Sequence, residues 1–365
     1  MNSSREVYGM KKIVLTGGGT AGHVTPNIAL MPKLKELGYE IHYIGSYDGI
    51  EKKLIEEYDI PYYGISSGKL RRYFDIKNFS DPFKVLKGYG QARRLLKELK
   101  PDVVFSKGGF VSVPVILAAK HHRIPSIIHE SDLTPGLANK LSIPSAQKVC
   151  CNFPETLKYL PEGKAILTGS PIRTELLSGN RLQALELCHF TANKHVILVV
   201  GGSIGSQFIN KIIRESLPEL CKHYQIIHLC GKGNLDPELM EYESYAQFEY
   251  AKKELSDFFA AADLVISRAG ANAICEILAL RIPNILIPLS ANASRGDQIL
   301  NARSFEKQGF SYVLEEEQLN GAVLQTAIQE VFDNRHAYVD AMMNCQQLNS
   351  IDTIIRLIEE SVTKQ

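Results

Sequence analysis

The sequence predicts an α/β protein with two Rossmann-like, doubly wound parallel-sheet domains. In the first half, short apolar runs alternate with helical patterns: KIVLTG, EIHYIG, PYYGIS, DVVFSKGG, PSIIHE, KVCCNF and AILTG. The same alternation starts again at HVILVVGGS and continues through QIIHLCGKG, YAQFEY, DLVISRAG and PNILIPL. Strand–helix alternation is typical of a parallel sheet covered by helices on both faces. The length of 365 residues favours two such domains over one.

The domain boundary is predicted near GSPIRTE, residues 169–175. Residues 1–173, ordered from about residue 11, would form the first domain, and residues 174–339 the second. The helical pattern in 340–365 would pack back on the first domain. Ligands of doubly wound sheets bind beyond the carboxyl ends of the strands, so two facing domains of this type predict a cleft between them.

Composition excludes several classes of function. Hydrophobic residues make up 45% and charged residues 22%, ordinary values for a globular protein. A formal charge of +1 argues against a nucleic-acid partner. Seven cysteines without a CxxC pair indicate reduced core residues rather than a disulfide framework or a zinc site.

A glycine-rich loop in the first domain reads VLTGGGTAGHVTPN, residues 14–27. Thr25 is predicted to cap a helix whose first residue is Pro26. The loop would then direct backbone N–H groups at an anion or a crowded polar ligand; the alternative is a tight turn without a ligand. His23 could take a proton from an attacking hydroxyl, or it could only support the loop.

The second domain carries three loops suited to a nucleotide sugar. VVGGSIGSQFIN, residues 199–210, combines a glycine loop with the Ser203 hydroxyl and predicts a phosphate site. In VISRAGANAICEIL, the Glu276 carboxylate could accept both hydroxyls of a ribose, or lie on a solvated helix face. Asp297 and Gln298 could bind sugar hydroxyls. Because no D-x-D motif occurs, helix ends and Arg173 are expected to neutralise a diphosphate.

Residues 64–100 form a basic segment with ten Lys and Arg against three Asp and Glu. Aromatic and aliphatic residues are interleaved with the cations, a mixture that suits an anionic membrane leaflet. The alternative is a solvated basic helix with its apolar side in the core. The predicted membrane patch consists of Arg71, Arg72, Phe79, Phe83, Lys84 and Lys87.

Seven segments carry a family resemblance: GGGTAGHVTPN, SKGGFVSVP, HESDLTPGLANK, GSPIRTE, GGSIGSQFIN, SRAGANAICE and SRGDQILNA. In this order they resemble the MurG family of bacterial N-acetylglucosaminyltransferases, in glycosyltransferase family 28, over residues 11 to about 360. The resemblance implies a GT-B fold, UDP-N-acetylglucosamine as donor, and undecaprenyl-diphospho-muramoyl-pentapeptide (lipid I) as acceptor. It implies inversion at the sugar carbon, lipid II as product, and no metal or other cofactor.

The resemblance also implies roles for individual residues. His23 would be the base, and Glu130 of HESD a second catalytic residue. The implied donor-binding residues are Thr20, Ala21, Gly22, Asp132, Arg173, Ser203, Ala271, Asn272, Glu276 and Gln298. Asp132 replaces an asparagine of other members, and Asp297 stands where some relatives have a second glutamine beside Gln298.

The family further implies a peripheral protein on the cytoplasmic face of the bacterial cell membrane, with cell-wall and division proteins as further partners. Three alternatives remain open on the sequence. The chain could be a related lipid glycosyltransferase, such as one acting on diacylglycerol, or a UDP-N-acetylglucosamine 2-epimerase. It could also be a nucleotide-sugar binder without transferase activity.

Overall fold

The computed structural model describes residues 10–68, 81–202, 205–291, 296–345 and 349–363. The chain divides into two compact units, Met1–Arg173 with Asn349–Gln365, and Thr174–Leu348. The first boundary follows Arg173, and the chain returns to the first unit at Asn349. The sequence prediction placed that return at about residue 340.

The first unit is built on a seven-stranded parallel sheet with strand order β3-β2-β1-β4-β5-β6-β7. Every predicted apolar run of the first half forms one of its strands. They are β1 (Lys12–Thr16), β2 (Glu40–Ser46), β3 (Tyr62–Ile65), β4 (Val103–Ser106), β5 (Ser126–Glu130), β6 (Lys148–Cys151) and β7 (Ala165–Leu167).

Helices cover both faces of this sheet because successive residues of its strands point to opposite sides. Ile13 and Leu15 pack in one hydrophobic core, and Val14 between them packs in another on the opposite face. The helices are α1 (Thr25–Glu36), α2 (Ile50–Ile55), α3 (Asp81–Leu99), α4 (Ser112–His121) and α5 (Leu137–Ser142).

The second unit repeats this design with a six-stranded parallel sheet of order β10-β9-β8-β11-β12-β13. Its strands are β8 (His195–Val200), β9 (Tyr224–Leu229), β10 (Tyr245–Phe248), β11 (Leu264–Ser267), β12 (Asn284–Leu286) and β13 (Tyr312–Val313). Its helices are α6 (Arg181–Leu187), α7 (Gln207–His223), α8 (Glu254–Ala261), α9 (Ala271–Leu280), α10 (Asp297–Lys307), α11 (Gly321–Asp333) and α12 (Arg335–Met343). This strand order is the Rossmann order, so the predicted fold class of two parallel-sheet domains is confirmed.

The last helix, α13 (Ser350–Thr363), packs on the first unit. Ile354 and Ile358 lie in the same core cluster as Ile13 of β1. Lys11 pairs with Glu359 at 2.7 Å, which attaches the outer face of the helix to the start of the domain. The end of the chain thus completes one face of the first sheet.

The predicted start of α1 is wrong by one residue. The helix begins at Thr25 with Val24 as its N-cap, and no side chain caps it. The Thr25 hydroxyl instead donates to the Ala21 carbonyl at 2.7 Å. The reason is a 3-10 turn at Ala21–His23, which leads into the helix and places the hydroxyl over the preceding turn.

Candidate functional site

The loops that follow β1, β4 and β5 meet at one edge of the first sheet, because these three parallel strands are neighbours. The Gly18 amide donates to the Gly108 carbonyl at 3.3 Å. Gly109 has φ +85°, and a Cβ there would lie 2.2 Å from the Gly18 oxygen. Only glycine fits at this position, and the two loops are therefore fixed against each other.

His23 lies at the end of the 3-10 turn and is half-buried. Its Nδ1 is 3.0 Å from the Gly18 carbonyl oxygen and 3.2 Å from Thr20 Oγ1. A carbonyl oxygen can only accept, so the hydrogen-bond network assigns the proton to Nδ1 and leaves the lone pair on Nε2. Burial lowers the pKa of His23, and the nearby Lys107 ammonium lowers it further. The ring is therefore neutral at pH 7 and able to accept a proton.

Lys107 is a buried cation at the end of β4 that sequence analysis did not assign. It is 1% exposed, and its Nζ lies 2.6 Å from His129 Nδ1 and 2.7 Å from Ser131 Oγ. His129 Nε2 in turn donates to the Gly169 carbonyl at 2.8 Å. Burial and the Lys107 charge hold the pKa of His129 well below its usual value, so this imidazole is neutral. The one available signal was a lysine placed directly after a buried strand, in SKGG.

Glu130, predicted as catalytic, ends β5 and is buried. One carboxylate oxygen accepts from the amides of Ser131 and Asp132 at 2.8 and 3.0 Å. The other accepts from the Gly136 amide and from Asn139 Nδ2, both at 2.9 Å. Burial raises the pKa of Glu130, against the lowering effect of these hydrogen bonds. Four donors from its own loop and α5 make this carboxylate suited to holding the HESD loop in place.

Glu51 on α2 is a fully buried carboxylate behind the glycine loop, and it too was missed. One of its oxygens accepts from the Gly19 amide at 3.1 Å, and the other from the Ser46 amide at 2.9 Å. The prediction that the first glycine loop offers its amides to an anion is wrong for Gly18 and Gly19, because both amides already donate within the protein. The sequence could not predict this role of Glu51, because its contact with Gly19 joins residues that are 32 positions apart.

In the second unit, one arginine in the loop after β11 donates hydrogen bonds to the loops that follow β8 and β12. Arg268 is 8% exposed and donates to Ser206 Oγ at 2.7 Å and to Glu316 Oε1 at 2.6 Å. It also donates to the carbonyls of Ile287 and Pro288 at 3.2 and 3.4 Å. Arg268 follows β11 in the SRAG segment, and it is not among the residues predicted from the sequence. The three loops at the carboxyl edge of the second sheet are therefore joined by a single buried cation.

The predicted donor-binding residues of the second unit lie on two of these connections. Ala271, Asn272 and Glu276 lie on the first two turns of α9, directly after β11, and Glu276 is half-buried. Gln298, in the first turn of α10, accepts from the Leu289 amide at 3.0 Å through its side-chain oxygen. Its binding to a sugar hydroxyl stays a prediction. Ser203 lies outside the described residues.

In the first unit, Thr20 is exposed, while Ala21 and Gly22 form the half-buried turn with His23. Asp132 lies close enough to His23 for its charge to raise the pKa of the imidazole, after the larger effects of burial, Lys107 and Gly18. Arg173 is half-buried and is the last residue of the unit before the chain enters the second.

The described part of the predicted membrane patch lies at the start of α3. Phe83 is 73% and Leu86 66% exposed, and Lys84 and Lys87 are exposed beside them. Further along the same helix, Ala92 and Leu96 are buried in the core. Arg71, Arg72 and Phe79 lie outside the described residues.

The described residues lack two kinds of feature, a metal-ion cluster and a membrane-spanning helix. They contain no cluster of three His, Cys, Asp or Glu side chains arranged to hold a metal ion. None of the helices in the described ranges is long and apolar enough to cross a bilayer. The expectation that no metal is needed stays a prediction.

Family models match both units. Residues 13–151 match the glycosyltransferase family 28 N-terminal domain, and residues 196–358 match the glycosyltransferase family 28 C-terminal domain. The fold and these matches define a glycosyltransferase with two parallel-sheet domains of the GT-B type.

Relatives and a solved structure narrow the class. UDP-N-acetylglucosamine--N-acetylmuramyl-(pentapeptide) pyrophosphoryl-undecaprenol N-acetylglucosamine transferase of Lachnoclostridium phytofermentans is 68% identical, covering 96% of this chain and 99% of that protein. The Clostridium tetani enzyme of the same name is 59% identical, covering 97% and 99%. The crystal structure of Acinetobacter baumannii MurG superimposes with a TM-score of 0.75 at 26% identity, covering 96% and 99%. The chain belongs to the MurG family.

A solved structure with much lower sequence identity shares the fold. A structure from Listeria monocytogenes described as a putative UDP-N-acetylglucosamine 2-epimerase superimposes with a TM-score of 0.70 at 12% identity, covering 98% of each chain. At that identity the likeness concerns the fold only, and it gives no support to the epimerase alternative.

Proposed function

We propose that this protein transfers N-acetylglucosamine from UDP-N-acetylglucosamine to lipid I, giving lipid II for peptidoglycan synthesis. The family places the chain among N-acetylglucosaminyltransferases, and the high identity over nearly the whole length favours the same substrates. A transferase acting on diacylglycerol is not favoured, because the relatives that match both units carry the lipid I activity in their names.

The reaction is a single displacement with inversion. The acceptor hydroxyl attacks the anomeric carbon, the bond from that carbon to the UDP oxygen breaks, and the hydroxyl proton passes to a base. The observation that carries this role for His23 is its Nδ1–H bond to the Gly18 carbonyl, which leaves Nε2 as the proton acceptor. In this proposal Glu130 positions its loop and is not itself a base.

Charge develops on the UDP leaving group as the bond breaks, and the second unit must stabilise it. The glycine loop after β8 leads into α7, whose first turn is capped by Ser206. Glu276 would hold the ribose, Ala271 and Asn272 the nucleoside, Ser203 and Arg173 the diphosphate, and Gln298 the sugar. Thr20, Ala21, Gly22 and Asp132 would line the sugar from the first unit. We propose that neither a metal ion nor another cofactor takes part.

We further propose that the protein works as a peripheral enzyme on the cytoplasmic face of the cell membrane. Its acceptor carries an undecaprenyl chain, and the exposed Phe83 and Leu86 beside two lysines suit an anionic leaflet. Cell-wall and division proteins are proposed as further partners on the strength of the family alone.

Substitution of His23 by alanine tests the mechanism. A positioned base typically contributes about 10²–10⁴ in rate, so kcat should fall by that factor. The affinity for UDP, measured by calorimetry on the same variant, should stay unchanged, because His23 belongs to the first unit and the uridine contacts to the second. The assay uses labelled UDP-N-acetylglucosamine and a short-chain lipid I analogue, with and without a chelator.

Three results would contradict the proposal. Near-normal turnover in the variant would remove His23 from the mechanism. Formation of a 2-epimer from the donor without lipid I would favour the epimerase. UDP binding without any transfer would favour a binding protein.

A further inference from the structure

We propose that Glu51 acts as a positioning residue that orients His23 through the peptide group between Gly18 and Gly19. The inference rests on the proposed role of His23 as base. A chain of two hydrogen bonds connects the buried Glu51 carboxylate, across one peptide group, to the His23 imidazole.

The two hydrogen bonds of this chain belong to opposite ends of the same peptide. The Gly19 N–H donates to Glu51 Oε2 at 3.1 Å. The Gly18 C=O, which belongs to the same peptide group, lies 3.0 Å from His23 Nδ1 and accepts a hydrogen bond from its N–H. A carboxylate that polarises the N–H also makes the carbonyl oxygen a stronger acceptor. The Nδ1–H tautomer is thereby stabilised, and Nε2 becomes the more basic nitrogen.

The surroundings of Glu51 show that this carboxylate is built into the loop. Its side chain is completely buried, and the oxygen that does not contact Gly19 accepts from the amide and hydroxyl of Ser46. A Cβ on Gly18 would lie 2.5 Å from the carboxyl group, and one on Gly49 would lie 2.2 Å from it. The glycines at these positions leave room for a carboxylate of the protein itself.

The charges that face His23 come from three elements. Lys107 follows β4 and Asp132 follows β5, while Glu51 lies on α2. Lys107 lowers the pKa of His23, whereas the Gly18 hydrogen bond, Asp132 and Glu51 raise it. Loss of the Glu51 charge should therefore lower the pKa of His23. Activity that requires the neutral base would then persist to lower pH.

The test is Glu51→Gln in the full-length chain. It keeps the side-chain shape and removes the charge. We expect kcat to fall on the order of 10–100-fold, by analogy with metal-ligating histidines that lose the group fixing their tautomer and ring orientation. The KM for UDP-N-acetylglucosamine should not change, and the acid limb of the kcat–pH profile should move to lower pH. Glu51→Asp, which keeps the charge but shortens the side chain, should fall between wild type and Gln.

Two controls separate positioning from simple loss of structure. Ser46→Ala removes a hydrogen bond from the other carboxylate oxygen, leaves the Gly19 contact in place, and should keep the wild-type pH profile. In a His23→Ala background, Glu51→Gln should cause no further loss of kcat, since it acts through the imidazole.

Nitrogen-15 NMR of labelled histidine gives a readout independent of activity. The wild type should show a protonated Nδ1 and an unprotonated Nε2, and Glu51→Gln should shift His23 toward the other tautomer. An unchanged tautomer, or a full additional loss of kcat in the His23→Ala background, would overturn the inference. Near-normal turnover of His23→Ala alone would instead contradict the proposed base, while the NMR result would still decide the role of Glu51.

Discussion

Arg268→Ala should destabilise the second unit and weaken UDP binding together. The guanidinium donates to four oxygens at 2.6 to 3.4 Å, and its side chain and that of Glu316 are only 10% and 15% exposed. Removal of the cation leaves the Glu316 carboxylate with the Ser290 amide at 3.2 Å. Breaking a buried pair by removing one partner typically costs about 3–5 kcal/mol, so we expect a loss of that order.

The effect on UDP binding follows from the loops after β8 and β12, which Arg268 holds against its own loop after β11. Without the arginine, we expect one residue beside Ser206 and one beside Pro288 to become disordered. UDP binding must then order both residues again, which costs roughly 1–2 kcal/mol of conformational entropy per residue. The lower limit for the two residues together, about 2 kcal/mol, corresponds to about a thirtyfold weaker affinity for UDP. Calorimetry with UDP measures this directly on the purified variant.

Hydrogen exchange followed by mass spectrometry localises the loss of stability. Amides of β8 and β11 should exchange faster in Arg268→Ala, whereas those of β1 and β4 in the first unit should not. The matched variant is Arg268→Met with Glu316→Gln, in which no unpaired charge is buried and most of the stability should return. A loss below about 1 kcal/mol, or equal acceleration of exchange in both units, would refute the assignment.

Two further predictions concern the first unit. Lys107→Met removes a charge that lowers the pKa of His23. The acid limb of the kcat–pH profile should therefore move to higher pH, in the opposite direction to the shift expected for Glu51→Gln. An acid limb that does not move would contradict the electrostatic role of Lys107. Phe83→Ser with Leu86→Ser should abolish binding to anionic vesicles in co-sedimentation, since each exposed apolar side chain contributes about 1.5–3 kcal/mol when buried in the interface. Leu182→Ser on α6, which is 70% exposed in the second unit, is the matched control, and equal loss of binding there would contradict the patch.

The strands could be predicted from sequence because each is a local signal. Runs such as HVILVV are buried on both faces and stand between helical patterns, and this identifies a parallel sheet without any knowledge of its partners. The strand that escaped prediction, β13, has two residues, Tyr312–Val313, too few for a periodic signal. The start of α1 was misplaced because the 3-10 turn before it shifts the role of Thr25.

The parts of the candidate site that escaped prediction are all contacts between distant segments. Glu51 meets Gly19 across 32 positions, Lys107 meets His129 across 22, and Arg268 meets Glu316 across 48. Each is a charge next to apolar sequence, a pattern that also fits a solvated turn. Only the strand order of each sheet, which brings the segments of that unit together at the carboxyl ends of its strands, distinguishes the two cases.

The two glycine loops show why glycine spacing alone does not identify an anion site. Both follow a first strand and precede a helix, and both contain glycines with positive φ, Gly19 at +87° and Gly202 at +94°. A buried carboxylate, Glu51, lies behind the first loop and accepts a hydrogen bond from the Gly19 amide of that loop. A buried guanidinium, Arg268, lies behind the second and holds its end at Ser206. The Glu51 charge would repel a diphosphate at the first loop, whereas the Arg268 charge behind the second loop is balanced by Glu316. The buried charges, rather than the glycines, therefore distinguish the two loops, and they favour the second loop for the proposed phosphate site.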